Sequence, residues 1–363
     1  MAITIPNTLK AAALKQIAFK CGVSTSGTKP ILIQRLQDEL PHITSPSTNT
    51  SSANPKPMRI LSIDMGIRNF SFCLLELCLE KSSKKKLKPT IPSLQSWQKI
   101  SLLPQTPPLA SSDPGEKDKT PNGFTPAILS SAAYKLIRQT LLPLSPTHIL
   151  IERQRFRSMG SKHILEWTIR VNMLESMLWA TFKTLSEEKI WVGELIEIAP
   201  KKVGSFWVEE GGLGGEEDEK FKKVRTTKEV KARSKGAKID LVRGWLDAGE
   251  KENGEQKNHP NEMVLIGSQQ VQEVKERYTE KWDRKVGRTK GQKNKSKALS
   301  TASSTTSNTS KNKAEEKEII IEKVEEMGKL DDLADCLLQG MAWLKWQENR
   351  KRALEEGVEV LLD

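Results

Sequence analysis

Four acidic residues that lie within apolar segments constrain the fold of this chain more than any other feature of its sequence. Asp64 lies in RILSIDMGIRNFSF, Glu152 in HILIERQRF, and Asp332 and Asp335 in KLDDLADCLLQGMAW. Leaving such a carboxylate charged and unpaired among buried apolar side chains costs on the order of several kcal/mol or more. Each of the four must therefore lose its charge, find a cationic partner or bind a metal.

Local sequence patterns place these acids on two strands and one helix. The apolar run that ends at Asp64 is broken at Gly66 and Asn69, and alternation then resumes in FSFCLL, which predicts a strand, a turn and an antiparallel strand. Glu152 ends the apolar run THILIE, which predicts a buried strand. If the two strands adjoin and the helix crosses them, the carboxylates meet.

The predicted C-terminal helix presents its acids on one face. Asp332 and Asp335 are three residues apart, and Asp331 is four residues from Asp335, so all three can point the same way. Hard carboxylate ligands suit Mg²⁺, with Mn²⁺ as a substitute. Two such ions about 3.5 to 4 Å apart would clamp a phosphodiester and support its hydrolysis.

The remaining patterns indicate an α/β domain. A loop rich in Pro and Lys is expected over about 81–125, followed by a helix in TPAILSSAAYKLIRQTLLPL, a long helix over about 161–186 and a further strand in VGELIEIAP. Strands this apolar that alternate with helices are typical of a sheet with helices on both faces.

The charge balance favours a polyanionic partner. The chain has 363 residues with 58 Lys and Arg against 46 Asp and Glu, which gives a formal net charge of +12. Nucleic acid is the first expectation, because neutralising phosphates releases counterions, and an anionic membrane surface is the weaker one. No apolar run reaches the roughly 20 residues that span a bilayer. The four cysteines lack a CxxC pair, which favours a reduced compartment, and the scattered histidines argue against a zinc site.

The N-terminal segment, residues 1–40, is expected to form a small helical module. Two short helices flank a turn at Gly22-Val23-Ser24, and Ser26-Gly27-Thr28-Lys29 precedes the second helix. This order resembles the SAP domain, a helical module that binds DNA, and Lys29 with the helix N-termini would contact phosphates. The alternative is a helical hairpin that only caps the next domain. Residues 41–57 are expected to be a flexible linker.

A long charged insertion, at about 208–320, is expected to be largely disordered. It is Gly-rich and charged, and residues 284–313 contain no acidic side chain. Helices are expected within it at VKARSKGAKIDLVRGWL and QEVKERYTEKW. The insertion is expected to be either a basic tether that binds nucleic acid or a linker that has no role of its own.

The motifs together resemble a known nuclease family. SIDMGIRNFSFC, IERQRFRS followed by TIRVNMLESML, and KLDDLADCLLQGMAW are similar to the fungal mitochondrial Holliday junction resolvases, which include the yeast cruciform-cutting endonucleases and are related to the bacterial RuvC-type enzymes. The resemblance implies an RNase H-like mixed sheet flanked by helices over residues 58–363, behind the SAP-like module. It also implies a Mg²⁺-dependent crossover junction endodeoxyribonuclease that makes paired symmetric nicks in branched DNA.

The same resemblance implies roles for particular residues. The expected metal ligands are Asp64, Glu152 and Asp335, with either Asp332 or Asp331 as the other one. The expected location is mitochondrial, with the nucleus as the alternative. No membrane partner and no small-molecule substrate are expected. The candidate DNA contacts are Lys29, Arg68, Arg153, Arg155, Arg157, Lys162, Lys201 and Lys202.

A homodimer is expected because a four-way junction has two-fold symmetry and paired cuts require paired sites. The long helix over 161–186 carries apolar residues outside its core stripe, at Trp167, Met173, Met177 and Trp179, which indicates either an interface or deep burial.

Two other functions are compatible with the sequence. The first is a junction-binding protein without catalysis. The second is an ATP-dependent kinase of the actin-like fold, because Ile63-Asp64-Met65-Gly66 also resembles the first phosphate loop of that superfamily. A later Gly-rich nucleotide loop next to a strand is missing, which argues against the kinase.

Overall fold

A computed structural model describes residues 3–44, 57–81, 87–89, 91–103, 124–154, 166–210, 227–248, 263–283, 288–289 and 330–362. The α-helices of these segments are Ala11–Lys20 (α1), Lys29–Glu39 (α2), Pro126–Lys135 (α3), Glu166–Glu187 (α4), Pro200–Glu210 (α5), Thr227–Ala248 (α6), Gln269–Lys281 (α7) and Leu330–Glu356 (α8). The strands are Met58–Asp64 (β1), Phe70–Leu77 (β2), Leu79–Lys81 (β3), Leu87–Pro89 (β4), Ser93–Ile100 (β5), His148–Glu152 (β6), Glu194–Ile198 (β7), Leu265–Ile266 (β8), Trp282–Asp283 (β9) and Arg288–Thr289 (β10). None of the described helices is long and apolar enough to cross a bilayer.

A six-stranded mixed sheet forms the centre of the molecule, in the order β7-β6-β1-β2-β5-β8. The hairpin of β1 and β2 is antiparallel and β5 extends it antiparallel, whereas β6 lies parallel to β1 and β7 parallel to β6. The predicted strands at 58–64, 70–77, 148–152 and 194–198 are all present. The α/β class with a mixed sheet is confirmed.

Helices cover both faces of this sheet, as the apolar strands predict. One core lies between the sheet and α5, α6, α7 and α8, and the other lies between the sheet and α3 and α4. Along β1, Leu61 and Ile63 enter the second core, whereas Ile60 enters the first. Asp64 is four residues from Ile60 on the same strand, so both side chains lie on the same face of the sheet. Asp64 therefore faces α8.

The expected loop over about 81–125 is wrong in part, because Ser93–Ile100 is a strand of the central sheet. A bulge between Leu74 and Leu75 of the partner strand interrupts the register with β5. Leu94 and Trp97, three residues apart, therefore both enter the α8 core. Apolar and polar residues do not alternate regularly in SLQSWQKI. The strand was therefore not predicted from the two-residue period that is typical of strands.

Two helices lie within the insertion at about 208–320, α6 and α7, where the sequence predicts helices at VKARSKGAKIDLVRGWL and QEVKERYTEKW. Helices α6 and α7 pack into the core that α8 forms with the sheet, through fully or almost fully buried side chains. These side chains are Ile239, Val242, Trp245, Leu246, Val271 and Tyr278. Their helical spacing buries one apolar stripe although the surrounding sequence is charged. Residues 211–226, 249–262 and 290–329 lie outside the described residues.

The N-terminal helices α1 and α2 form the expected pair around a turn at Gly22. Their small core includes Leu14, Ile17, Leu32 and Leu36, and it continues into side chains at the far end of α8. The module is therefore packed on the main domain. Most of the expected linker, residues 45–56, lies outside the described part of the chain.

Candidate active site

One row of side chains crosses the sheet on its α8 face. Asp64 at the end of β1 pairs with Ser71 on β2, which pairs with Lys99 on β5. On the other side, Glu152 ends the parallel strand β6, one residue beyond the pair formed by Ile63 and Ile151. The register of four strands thus places Glu152, Asp64, Ser71 and Lys99 in line.

Helix α8 crosses this row with its first turns. Ser71 donates its hydroxyl to the backbone oxygen of Asp332 at 2.7 Å and lies 3.5 Å from Oδ2 of Asp64. Two turns further on, Gln339 is buried and donates through Nε2 to Ser62 Oγ and to the carbonyl of Ile63, both at 3.1 Å. These contacts fix the helix over the carboxyl ends of β1 and β6.

Gly340 permits the close approach of α8 to the sheet. A Cβ atom at this position would lie 2.8 Å from Cδ1 of Leu75 and 3.3 Å from Cβ of Ser62. Both distances are shorter than ordinary carbon contacts, which begin at about 3.5 Å. The missing side chain thus lets the acids of α8 reach those of the strands.

Asp64 lies at the centre of the acidic group. Burial raises its pKa well above the ordinary value, and a hydrogen bond to Glu152 and the nearby charges of Glu152, Asp335 and Asp332 raise it further. Burial also raises the pKa of Asp335, while Lys238 opposes that rise. The carboxylates of two strands and one helix are therefore close enough to act on one another.

Three lysines accompany the three aspartates of α8. Lys99 Nζ lies 2.7 Å from Oδ2 of Asp332, and Lys238 Nζ from α6 lies 2.7 Å from Oδ1 of Asp335. The third lysine, Lys235, also lies on α6 and pairs with Asp331. Asp332 and Asp335 thus raise the pKa of Asp64 through their charge, whereas Asp331 raises the pKa of Asp335.

The donor set fits a hard divalent cation. Asp64, Glu152 and Asp335 bring carboxylates from three elements into one partly enclosed cleft, and Asp332 lies close enough to Asp64 to raise its pKa. In the part of the chain that the structure describes, no three acidic, His or Cys side chains are already spaced to hold a metal ion. Lysine side chains balance part of the negative charge instead.

The candidate DNA contacts differ in their exposure and in the partners of their side chains. Arg68 is exposed in the β1–β2 turn and Lys201 is exposed at the start of α5. Arg153 forms a 2.7 Å ion pair with Glu197, and Lys29 donates to the backbone oxygen of Asn7 at 2.6 Å. Arg155, Arg157 and Lys162 lie outside the described residues.

Lys202 has a structural contact that the sequence did not indicate. Its Nζ donates to the backbone oxygen of Gly22 at 2.8 Å, and burial lowers its pKa. The side chain therefore joins the N-terminal module to α5 and is not presented to a phosphate.

The apolar residues of α4 outside its core stripe separate into two groups. Met173, Met177 and Trp179 are half-buried and pack against the core, which favours the burial interpretation for these three. Trp167 and Ile169 are exposed by 43% and 44%.

Four polar residues of this site were missed by reasoning from the sequence, namely Ser71, Lys99, Lys238 and Gln339. The place of Ser71 and Lys99 in the site can be recognised only from the strand register. Lys238 precedes Ile239, and the apolar stripe of AKIDLVRGWL was the available signal that its helix packs on the core.

The sequence matches a family model described as mitochondrial resolvase Ydc2 / RNA splicing MRS1 over residues 60–353. The chain belongs to this family. The family is mitochondrial by its own description, so the expected mitochondrial location is confirmed.

Two curated relatives of the mitochondrial resolvase family are similar to the chain. Cruciform cutting endonuclease 1, mitochondrial, of Schizosaccharomyces pombe is 31% identical over 227 residues, which cover 61% of this chain and 76% of that protein. The protein of the same name from Saccharomyces cerevisiae is 27% identical over 177 residues, which cover 48% of this chain and 44% of that one.

Two solved structures are similar to the chain. The crystal structure of the yeast mitochondrial Holliday junction resolvase Ydc2 is 24% identical, with a TM-score of 0.49 over 95% of this chain and 96% of that one. The Thermus thermophilus RuvC structure is 14% identical, with a TM-score of 0.27 over 57% and 89% of the two chains. The fold assignment rests on family membership and on the strand order described above.

Proposed function

We propose that this protein is an endonuclease that resolves four-way DNA junctions by metal-assisted hydrolysis of phosphodiester bonds. The observation that carries this proposal is the convergence of Asp64, Glu152, Asp332 and Asp335 from β1, β6 and α8, in a chain of the mitochondrial resolvase family. Both curated relatives are named for cutting cruciforms.

Four carboxylates would hold the metal. We assign Asp64, Glu152 and Asp335 as ligands, and we choose Asp332 over Asp331 because Asp332 acts on Asp64 whereas Asp331 pairs with Lys235 of α6. Mg²⁺ is the proposed ion, with Mn²⁺ as a substitute, since both prefer oxygen ligands. When bound, the ions would activate a water for attack and stabilise the departing 3′ oxygen.

The protein itself supplies position and charge. Ser71 and Gln339 hold α8 over the strand ends, so the carboxylates of α8 lie beside those of the strands. Lys99 and Lys238 balance the charge of Asp332 and Asp335 before metal and DNA arrive. Because Lys238 lines the cleft, it also presents positive charge where a scissile phosphate would lie.

We propose that the DNA surface comprises the N-terminal module of residues 1–40 and the rim of the cleft. Lys29 belongs to the module, while Arg68, Arg153 and Lys201 belong to the main domain. Such contacts recognise the shape and phosphate geometry of the branch. A homodimer would place two sites on the two symmetric strands, as paired nicks require.

A panel of DNA substrates tests this function. The full-length protein is incubated with a synthetic four-way junction, a duplex of matched sequence and a flap, each with Mg²⁺ and with EDTA. We expect paired symmetric nicks in the junction only, and only with Mg²⁺. Equal cutting of duplex and junction, or cutting in EDTA, would contradict the proposal.

Binding without cleavage is the second candidate function. Two observations favour it: the family description also names RNA splicing, and lysines pair with two of the four acids. In that case the junction would be bound in the same assay but remain intact with both Mg²⁺ and Mn²⁺.

A further inference from the structure

A cationic and aromatic cluster lies at the N-terminal ends of α3 and α4, outside the acidic cleft. The rings of Phe124 and Trp167 meet edge to face, with centroids 5.6 Å apart and planes at 78°. The guanidinium carbon of Arg170 lies 4.1 Å from the centroid of Phe124, and that of Arg68 lies 5.8 Å from the same centroid. Two cations and two aromatic rings thus form one group.

We propose that this cluster binds an unstacked DNA base at the branch point, with Trp167 as the stacking surface and Arg68 and Arg170 as its cationic border. The inference rests on the proposed function and adds to it a base-binding site separate from the metal ligands. Base stacking on an aromatic side chain is tolerant of sequence, because every base has an aromatic face.

The exposure of the rings supports this assignment. Phe124 is half-buried and packs against the core below α4, so it fixes the group in place. Trp167 is 43% exposed, although a tryptophan buries more apolar area than any other side chain when it is enclosed. The cluster therefore exposes the indole ring of Trp167 to a ligand, while Phe124 anchors the group to the core.

The position of the cluster suits a branch next to the cleavage site. Arg68 is four residues beyond Asp64, so its Cα lies within about 14 Å of the acid. The turn is held by the buried side chain of Ile67 and by a 2.9 Å bond from the backbone nitrogen of Leu102 to the oxygen of Ile67. With a rise of about 3.4 Å per nucleotide, that distance between Arg68 and the acid corresponds to about four nucleotides.

Charge favours DNA over a second copy of the chain as the occupant. A two-fold interface centred on Trp167 would gather the Arg68 and Arg170 side chains of both copies, and like charges across an interface oppose association. Glu166 pairs with Arg170 and offsets only one of these cations. A polyanion with accessible bases complements the cluster in both charge and ring surface.

Trp167→Ala, Trp167→Phe and the control Tyr134→Ala test the proposal in the full-length protein. Tyr134 is a more exposed aromatic residue on α3, at 59%, and no ring contact involves it among the described residues. Binding to the four-way junction and to linear duplex is measured with EDTA present. We expect Trp167→Ala to weaken junction binding about tenfold and duplex binding less than twofold, with most of the affinity kept by Trp167→Phe. Tyr134→Ala should stay within twofold of the wild type for both substrates.

A second measurement uses the wild-type protein, so that it does not depend on the folding of a variant. Junctions that carry 5-iodouracil at the branch point or eight nucleotides along an arm are irradiated and the crosslinked peptide is identified. We expect a crosslink at Trp167 from the branch-point position only.

Three results would overturn the inference. These are equal loss of junction and duplex affinity in Trp167→Ala, a crosslink at Trp167 from the arm position, or conversion of a dimer to a monomer by Trp167→Ala in sedimentation. The last would assign the cluster to a protein interface. If the wild-type protein itself does not prefer junctions to duplex, the proposed function fails as well. If the wild-type protein does prefer junctions and one of the three results is found, only the inference fails.

Discussion

At the residue scale, the protonation of Asp64 links the acidic cleft to the stability of the metal-free protein. Its pKa in the folded protein is raised above the ordinary value of 3.8, first by burial and then by Glu152. The unfolded chain therefore releases this proton at lower pH than the folded protein does. Stability is fully present below pH 3.8 and is lost as the pH rises towards the folded pKa.

Asp64→Asn removes this contribution, because the amide carries no charge at any of these pH values. In EDTA we expect the variant to melt a few degrees above the wild type at pH 8 and at nearly the same temperature at pH 4. Scanning calorimetry between these pH values measures the difference.

The matched control is Asp331→Asn, which removes a carboxylate of the same helix that pairs with Lys235. It should show no gain in melting temperature at pH 8. Parallel pH profiles for wild type and Asp64→Asn would contradict the account of Asp64.

At the element scale, α8 carries the acids of one side of the cleft and depends on a close contact with the sheet. Gly340 faces Leu75 and Ser62, whereas Gly244 on α6 has no atom within 4 Å of an added Cβ. An alanine in either helix gains about 0.5–1 kcal/mol of helix propensity. Only at position 340 must the neighbouring side chains move.

We therefore expect Gly244→Ala to be stabilising by about 0.5 kcal/mol and Gly340→Ala to be destabilising by about 1–2 kcal/mol. Urea unfolding with Mg²⁺ absent measures both values. Cleavage by Gly340→Ala should fall more than its stability implies, because the carboxylates of α8 move away from Asp64. Equal effects of the two substitutions would show that α8 is not held by this contact.

The elements also show how far the sequence alone could predict this molecule. Strands β1, β2, β6 and β7 and helix α8 follow from regular apolar periods, and their acids follow with them. Strand β5 was missed because a bulge breaks its alternation. Helices α6 and α7 were expected, but their packing in the core beside α8 was not, because the surrounding sequence is charged.

The candidate site was predictable to the same extent. Asp64, Glu152, Asp332 and Asp335 stand out because charge is costly in apolar surroundings. Lys99 and Lys238 lie on β5 and α6, so they could not be found before those elements were placed. Which acid faces Asp64 depends on the rotation of α8, which the contacts of Ser71 and Gln339 set.

At the scale of the whole molecule, α8 joins the cleft to the N-terminal module. The helix has 27 residues, which at 1.5 Å each span about 40 Å. Near its C-terminal end, Asn349 and Arg350 donate to the backbone oxygens of Lys20 and Cys21 at 2.7 and 2.9 Å. These oxygens end α1, where the helix dipole favours positive charge. The module is therefore a fixed part of the proposed DNA surface.

Gly22 is the closest point of this docking. It has φ of +66°, and an added Cβ would lie 2.4 Å from the ring of Trp346. Gly357 also has positive φ, at +96°, but no atom lies within 4 Å of its added Cβ. The two glycines share the backbone requirement, and only Gly22 has the ring contact.

We expect Gly357→Ala to cost about 1 kcal/mol of stability and Gly22→Ala about 3 kcal/mol, because the second adds displacement of the indole. Chemical denaturation gives both values. Gly22→Ala should also weaken junction binding, since it displaces the module from α8. If the two variants lost equal stability, the module would not be held against Trp346.

The assignment of the acids to one metal-dependent nuclease site is tested most directly by Asp64→Asn on a four-way junction. Cleavage in Mg²⁺ and binding in EDTA are measured side by side for the variant and the wild type. The amide preserves shape and removes a ligand charge, so we expect cleavage to be abolished and junction affinity to stay within about twofold. Retained cleavage by Asp64→Asn would contradict the account.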